Sequence, residues 1–170
     1  MLFRSTSSWT QIRAAATTAN TDLSIGLTAS GNLFAWGDNQ FGQLGIGSTI
    51  NRSSPVQIGT SSWSQIDGSR GLGAIRIDGA LFTWGNNNQG LLGDGTTINK
   101  SSPVQIGTSS WTQLGFETSR NTAILTTGSL YIWGLNSGLF SDGTTINQSS
   151  PIQIAASNSF MYAPASLNSS

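Results

Sequence analysis

The sequence predicts an all-β fold, a partial β-propeller of three four-stranded antiparallel blades arranged as an open ring, and three observations carry that prediction. The chain repeats itself: GSTINRSSPVQIGTSSWSQ at residues 47–65 returns as GTTINKSSPVQIGTSSWTQ at 95–113, and GTTINQSSPIQI follows at 143–154. The period is fixed, since Pro55, Pro103 and Pro151 are each 48 apart while Trp36, Trp84 and Trp133 are 48 and then 49 apart. Within a period, strand-like runs of 4 to 6 residues such as SWTQL, TAILTT, SLYIWG and PIQI are bounded by Gly, Ser, Thr or Pro, with no helical stripe. Four short strands in a period of this length make a propeller blade.

Each unit reads in order as follows. A first strand surrounds Trp9, Trp63 and Trp111. The second and third strands form a hairpin, clearest as TAILTT and SLYIWG in the third unit. Its turns, ASGN, IDGA and TTGS, carry Gly31, Gly79 and Gly128, because glycine takes positive φ without a Cβ clash. The third strand ends on a Trp-Gly pair, and a glycine-rich loop then turns the chain back. Pro55, Pro103 and Pro151 open a fourth strand at an outer edge, where a missing N–H is tolerated. Trp9 and Trp63 are 54 apart whereas Trp63 and Trp111 are 48 apart, so six extra residues sit near AAATTANT, expected as a longer loop. The implied organisation is a tail over 1–8, three repeats over 9–157 (about 9–62, 63–110 and 111–157) and a second tail over 158–170.

Burial should fall on the tryptophans. Each indole offers roughly 150–250 Å², so Trp36, Trp84 and Trp133 are expected between neighbouring sheets, with Trp9, Trp63 and Trp111 completing the blade core. Trp84 is expected to matter most, because unit two alone has a covalent neighbour on each side.

The letters after the tryptophan add a resemblance. LFAWGDNQFGQLGIGS from Leu33 and LFTWGNNNQGLLGDGT from Leu81 closely resemble the repeats of the regulator of chromosome condensation family, whose signature runs W-G-x-N-x-x-G-x-L-G-x-G. The resemblance covers residues 9 to about 157. It implies a propeller that acts by presenting loops and rims to other proteins, as in nucleotide exchange on a small GTPase or inhibition of an enzyme. The third copy, YIWGLNSGLFSDGT from Tyr131, is one residue short and has Ser141 where unit two has Gly93, so its loop should be distorted. The family's usual His after the first strand is absent, for the chain has none.

Composition narrows the function. Charged residues are 8% of the 170, and seven basic and seven acidic side chains cancel, so no long-range field draws the protein to nucleic acid or an anionic membrane. Cysteine is absent, which excludes disulfides and thiolate metal sites. The start MLFRSTSSW lacks the apolar run of a signal peptide, and no stretch is long and apolar enough to span a bilayer.

Candidate chemistry is sparse. Asp94 and Asp142 in DGTT offer one carboxylate per loop, too few for a calcium cage, and read as Asp-Gly turns. Asn51, Asn99 and Asn147 open N-x-S triplets in register with the repeat and read as a copied polar loop. Asp67, Asp78 and Asp94 are the carboxylates that an acid–base pair would need, but they are expected on turns in different parts of a blade. Arg52 and Lys100 share a repeat position and read as a solvated rim.

The expectation is therefore a non-catalytic structural or protein-interaction module within a larger assembly, with a virion surface or appendage as the compositional analogy. No metal and no cofactor is expected. Partners would be other protein subunits, either copies of the chain or a larger shell, and the apolar tail residues Leu2, Phe3, Phe160, Met161 and Tyr162 are the expected contact sites. The alternative is a regulatory binding propeller, exchange-factor-like or inhibitor-like.

Overall fold

The computed structural model describes residues 8–18 and 21–154, which form strands and turns with no helix. Strands β1 (Trp9–Thr18), β2 (Thr21–Thr28), β3 (Leu33–Gly37) and β4 (Arg52–Gln57) pair antiparallel in chain order as one four-stranded sheet. Strands β5 (Trp63–Gly68), β6 (Gly71–Arg76), β7 (Ala80–Gly85), β8 (Lys100–Phe116), β9 (Arg120–Leu125), β10 (Leu130–Gly134) and β11 (Gln148–Gln153) form a seven-stranded sheet, again in sequential order.

The uneven split has one cause. The first part of the 17-residue β8 pairs with β7, setting Val104 against Thr83, and its last part pairs with β9, setting Leu114 against Ala123. It is thus the fourth strand of blade two and the first strand of blade three. The same IGTSSW sequence joins blades one and two, where the chain leaves the ladder over residues 58–62. Both connections keep a left-handed glycine, Gly59 at φ 58° and Gly107 at φ 60°. They also share a hydrogen bond from the tryptophan N–H, Trp63 to the Gly31 carbonyl at 2.9 Å and Trp111 to that of Gly79 at 2.8 Å. The eleven strands are three blades in an unclosed arc.

The hairpin turns form at the expected glycines, each N–H of Gly31, Gly79 and Gly128 reaching the carbonyl three residues back at 2.9 Å. The longer loop near AAATTANT does not form. Its residues extend the first hairpin instead: β1 is 10 residues long against 6 for β5, and its ladder to β2 runs on to Thr18 opposite Thr21. Alanine and threonine with no glycine or proline offered nothing to break the strands.

The core lies between blades. One cluster joins Leu23, Ile25 and Leu44 of unit one to Trp63, Leu72 and Trp84 of unit two. A second joins Ile75, Leu81 and Ile106 to Trp111, Phe116 and Trp133. Trp63, Trp84, Trp111 and Trp133 are buried, but Trp9 is 46% exposed and Trp36 only half-buried. The uniform tryptophan core expected from the sequence therefore stops at blade one. Trp9 packs edge-on against Phe34 as Trp63 does against Phe82, yet among the described residues no earlier blade closes over it.

Candidate functional site

The chemistry-bearing geometry of this molecule is at its blade junctions. Every junction runs in one direction, with a Trp-Gly tryptophan docking on the glycine loop of the unit before it. Trp84 Nε1 donates to the Gln43 carbonyl at 2.9 Å, and Trp133 Nε1 donates to that of Leu91 at 2.8 Å. Two residues further along the loop, Gly45 and Gly93 lie flat beneath the rings. A Cβ on Gly45 would stand 2.7 Å from Trp84 Nε1, and one on Gly93 would stand 2.9 Å from Trp133 Nε1. The same loop also receives the fourth strand of the next unit: Gly47 N–H reaches Ser101 O and Gly95 N–H reaches Ser149 O, both at 2.7 Å.

Inside each loop a pair of asparagines sets the shape. The backbone N–H groups of Asn39, Asn87 and Asn136 donate to Oδ1 of Asn51, Asn99 and Asn147 at 2.9, 2.7 and 3.0 Å. The N-x-S asparagines are thus staples that close a twelve-residue loop in units one and two. In the first two units the paired side chain also caps Leu44 N or Leu92 N at 2.9 Å, whereas in the third Asn136 Oδ1 takes the N–H of Gly138. The missing residue moves that bond, so the third loop is distorted. Ser141 there has φ 56°, the one left-handed non-glycine among the described residues.

A second set of contacts joins the first strands, which are too far apart to pair. Gln11 accepts from Ile66 N at 3.0 Å and donates to Ser64 O at 3.1 Å, and Gln65 accepts from Leu114 N at 3.0 Å. Asp67 lies on β5 rather than on a turn and links all three blades. It accepts from Phe116 N at 3.0 Å and pairs with Arg13 at 3.2 Å.

The remaining candidates make local contacts. Asp94 accepts from the N–H and hydroxyl of Thr96 and from Asn87, and pairs with Lys100 at 3.2 Å, so Lys100 is held within its own loop. Burial opposes the charged form of Asp94, but these donors outweigh it and leave its pKa below the ordinary carboxylate range. Asp142 is lowered too, chiefly by the Thr144 N–H, with Asn136 and Gln148 contributing. Asp78 makes an ion pair with Arg76 beside the hairpin turn. Among the described residues no three acidic, histidine or cysteine side chains come together as metal ligands. Leu2, Phe3, Phe160, Met161 and Tyr162 lie outside the described residues.

Sequential four-stranded sheets, docked tryptophan to glycine loop, define a β-propeller repeat protein. Two segments, residues 30–71 and 78–115, match the Regulator of chromosome condensation (RCC1) repeat. Each match starts in a hairpin turn and runs through the glycine loop into the following blade, while the shortened third loop lies outside both. A 34-residue stretch, 20% of the chain, is 47% identical to part of the Arabidopsis thaliana Ultraviolet-B receptor UVR8, covering 8% of that protein. The crystal structure of human WBSCR16 superposes with a TM-score of 0.76 at 21% identity over 91% of this chain. Prp20p from Saccharomyces cerevisiae, a protein that binds Gsp1p and histones, superposes with a TM-score of 0.70 at 16% identity over 81% of this chain. The chain spans 39% and 37% of those two chains.

Proposed function

We propose that this chain is a non-catalytic protein-interaction module whose two end faces are covered by protein in a larger assembly. One comparison carries the reading. Trp9 and Ile12 on the first blade are 46% and 54% exposed, whereas their repeat equivalents Trp63 and Ile66 are 5% and 1% exposed. Leu139 on the last loop is 60% exposed, whereas Leu91 is fully buried. Side chains that the inner junctions bury are presented to solvent at the ends, and apolar area of this kind is rarely left uncovered on soluble proteins. The protein partners of Prp20p, Gsp1p, histones and Kap60, support a binding role for the fold. A virion shell or appendage is a narrower version, supported only by the neutral Ser/Thr/Asn/Gly-rich surface.

The test compares sizes. The chain extracted from its source should run in a larger complex than the purified recombinant chain, and Trp9→Ala with Ile12→Ser should return it to the smaller size. Equal sizes from both preparations would remove the basis of the proposal.

A further inference from the structure

The four buried tryptophans fall into two kinds. Trp84 and Trp133 each give their indole N–H to a backbone carbonyl, whereas Trp63 and Trp111 are only 5% exposed and their Nε1 atoms find no acceptor among the described residues. The two indoles without a partner are also the two that line the clefts at the inner blade junctions. One cleft, of about 510 Å³, is walled by Ile58, Trp63, Phe82 and Pro103. The other, of about 570 Å³, has Ile106, Trp111, Tyr131 and Pro151 at the same repeat positions. We propose that these two clefts bind proline-rich peptide segments in the polyproline II conformation, with the tryptophan Nε1 donating to a ligand carbonyl. The proposal deepens the protein-interaction reading by naming a partner chemistry, at surfaces between the blades rather than at the end faces.

The ligand class follows from what the clefts offer. Each contains a pair of rings held edge to face, Trp63 with Phe82 and Trp111 with Tyr131, both with centroids 5.4 Å apart. Aromatic walls of this kind are what the apolar ring of proline packs against. The polar groups to be satisfied are donors: an indole N–H in each cleft and, in the second, a Tyr131 hydroxyl whose bond to Gln153 Oε1 is a long 3.4 Å. No carboxylate lines the first cleft, and Asp94 in the second is paired with Lys100, so neither cleft calls for a charged ligand. The edge of each cleft carries Pro103 or Pro151, which withholds an N–H from any strand laid alongside. A polyproline II segment makes no such demand. It has no internal backbone hydrogen bonds, its prolines bring no N–H, and its carbonyls stand free to accept. Because Nε1 is covered, a carbonyl reaches it only as the neighbouring linker gives way. The linker has that room: Gly59 and Gly107 hold left-handed backbones with open space where a Cβ would stand.

The test titrates decaproline, with a Gly-Ser repeat of equal length as control, into the purified nitrogen-15-labelled full chain and follows the indole N–H resonances. Decaproline should bind saturably with a Kd below about 1 mM, shift the Trp63 and Trp111 resonances and leave those of Trp84 and Trp133 in place, while the Gly-Ser peptide does not saturate. Trp111→Phe keeps a ring but removes the N–H, and should weaken binding at the second cleft at least about tenfold, read on the side-chain amide of Gln105 in the same cleft. Ser109→Trp fills that cleft from an exposed linker position without touching the core, so it serves even where Trp111→Phe fails to fold; it should abolish binding there and spare the first cleft. Absence of saturable binding, equal binding of the Gly-Ser peptide, shifts confined to Trp9 and Trp36, or undiminished binding at the second cleft of Ser109→Trp would each overturn the proposal. Full affinity in a folded Trp111→Phe would overturn the role given to the indole N–H. Every outcome is read on the isolated chain, so a failure here leaves the size comparison above standing.

Discussion

The glycine loops of units two and three share their ends, Trp-Gly before and DGTTIN after, and differ between them. In unit two, Leu91 is buried, its carbonyl accepts from Trp133 and from Asn121, and Gly90 lies against Ser149 of the next unit. In unit three, Leu139 is exposed and Gly138 has no atom of another unit near it. The loop of unit two carries a neighbour's indole; that of unit three lacks a residue and a glycine and, among the described residues, carries none. What the difference teaches is that the W-G-x-N-x-x-G-x-L-G-x-G letters serve the blade that follows. Their glycines are required by an indole and a strand that belong to the next unit.

The largest effect should separate the tryptophans. Trp84→Ala and Trp133→Ala should each cost about 3 to 5 kcal/mol, since both rings are fully buried and hydrogen-bonded to the preceding loop, and Trp36→Ala about 1 kcal/mol. This corrects the expectation that Trp84 alone would stand out: what counts is a preceding loop, and units two and three both have one. Denaturant melts in which Trp133 behaves like Trp36 would break the comparison. Next come the glycines. Gly90→Ala and Gly138→Ala start from similar left-handed backbones, φ 74° and 85°, but a Cβ on Gly90 meets Ser149 at 2.6 Å while one on Gly138 meets only Thr145 at 3.9 Å. The first should cost about 2 to 4 kcal/mol and the second about 1, the excess being the clash with the next unit.

Smaller still, Ser141→Gly should stabilise the chain by up to about 1 kcal/mol by relieving a left-handed serine. The smallest effect concerns acid. The folded pKa of Asp94 lies below its unfolded value, so its contribution is fully present above the ordinary carboxylate range and is lost as pH falls through the folded value. Asp94→Asn should therefore flatten the acid limb of a stability–pH curve and change neutral stability by less than about 1 kcal/mol. Asp142→Asn, at the exposed loop, should flatten it less.

Much of the fold was legible. The 48-residue spacing and the turn glycines are local signals, and each marks a feature that forms where the letters place it. The prolines expected to open the fourth strands stand inside them instead: the strands begin three residues earlier, at Arg52, Lys100 and Gln148, because the Arg/Lys/Gln-Ser-Ser before each proline already pairs. The deviant third loop was legible as well, because deleting a residue and replacing Gly93 by Ser141 breaks a visible pattern. Direction was not. A period is symmetric, so it says that Trp84 recurs but not that the ring reaches back 41 residues to Gln43. The asparagine staples were visible as conspicuous letters without their partners; Asn39 and Asn51 each look like ordinary polar loop residues until the loop closes. Gln11, Gln65 and Asp67 were illegible for a similar reason, since bridges across 49 to 55 residues leave no mark on local spacing. The extra residues of the first hairpin were misread because an insertion in a polar alanine–threonine run suits a strand extension as well as a loop.

The central claim, that Trp84 and Trp133 dock on the loop of the unit before them and that Trp36 has no such loop among the described residues, is tested most directly by hydrogen exchange of the indole N–H groups. The six resonances of the purified chain can be assigned with single Trp→Phe variants and followed by nitrogen-15 NMR. Trp84 and Trp133 should exchange only through unfolding of their blades, at rates tracking global stability, while Trp36 exchanges orders of magnitude faster. A Trp36 indole protected as strongly as Trp84, or a Trp133 indole exchanging as fast as Trp36, would contradict the account.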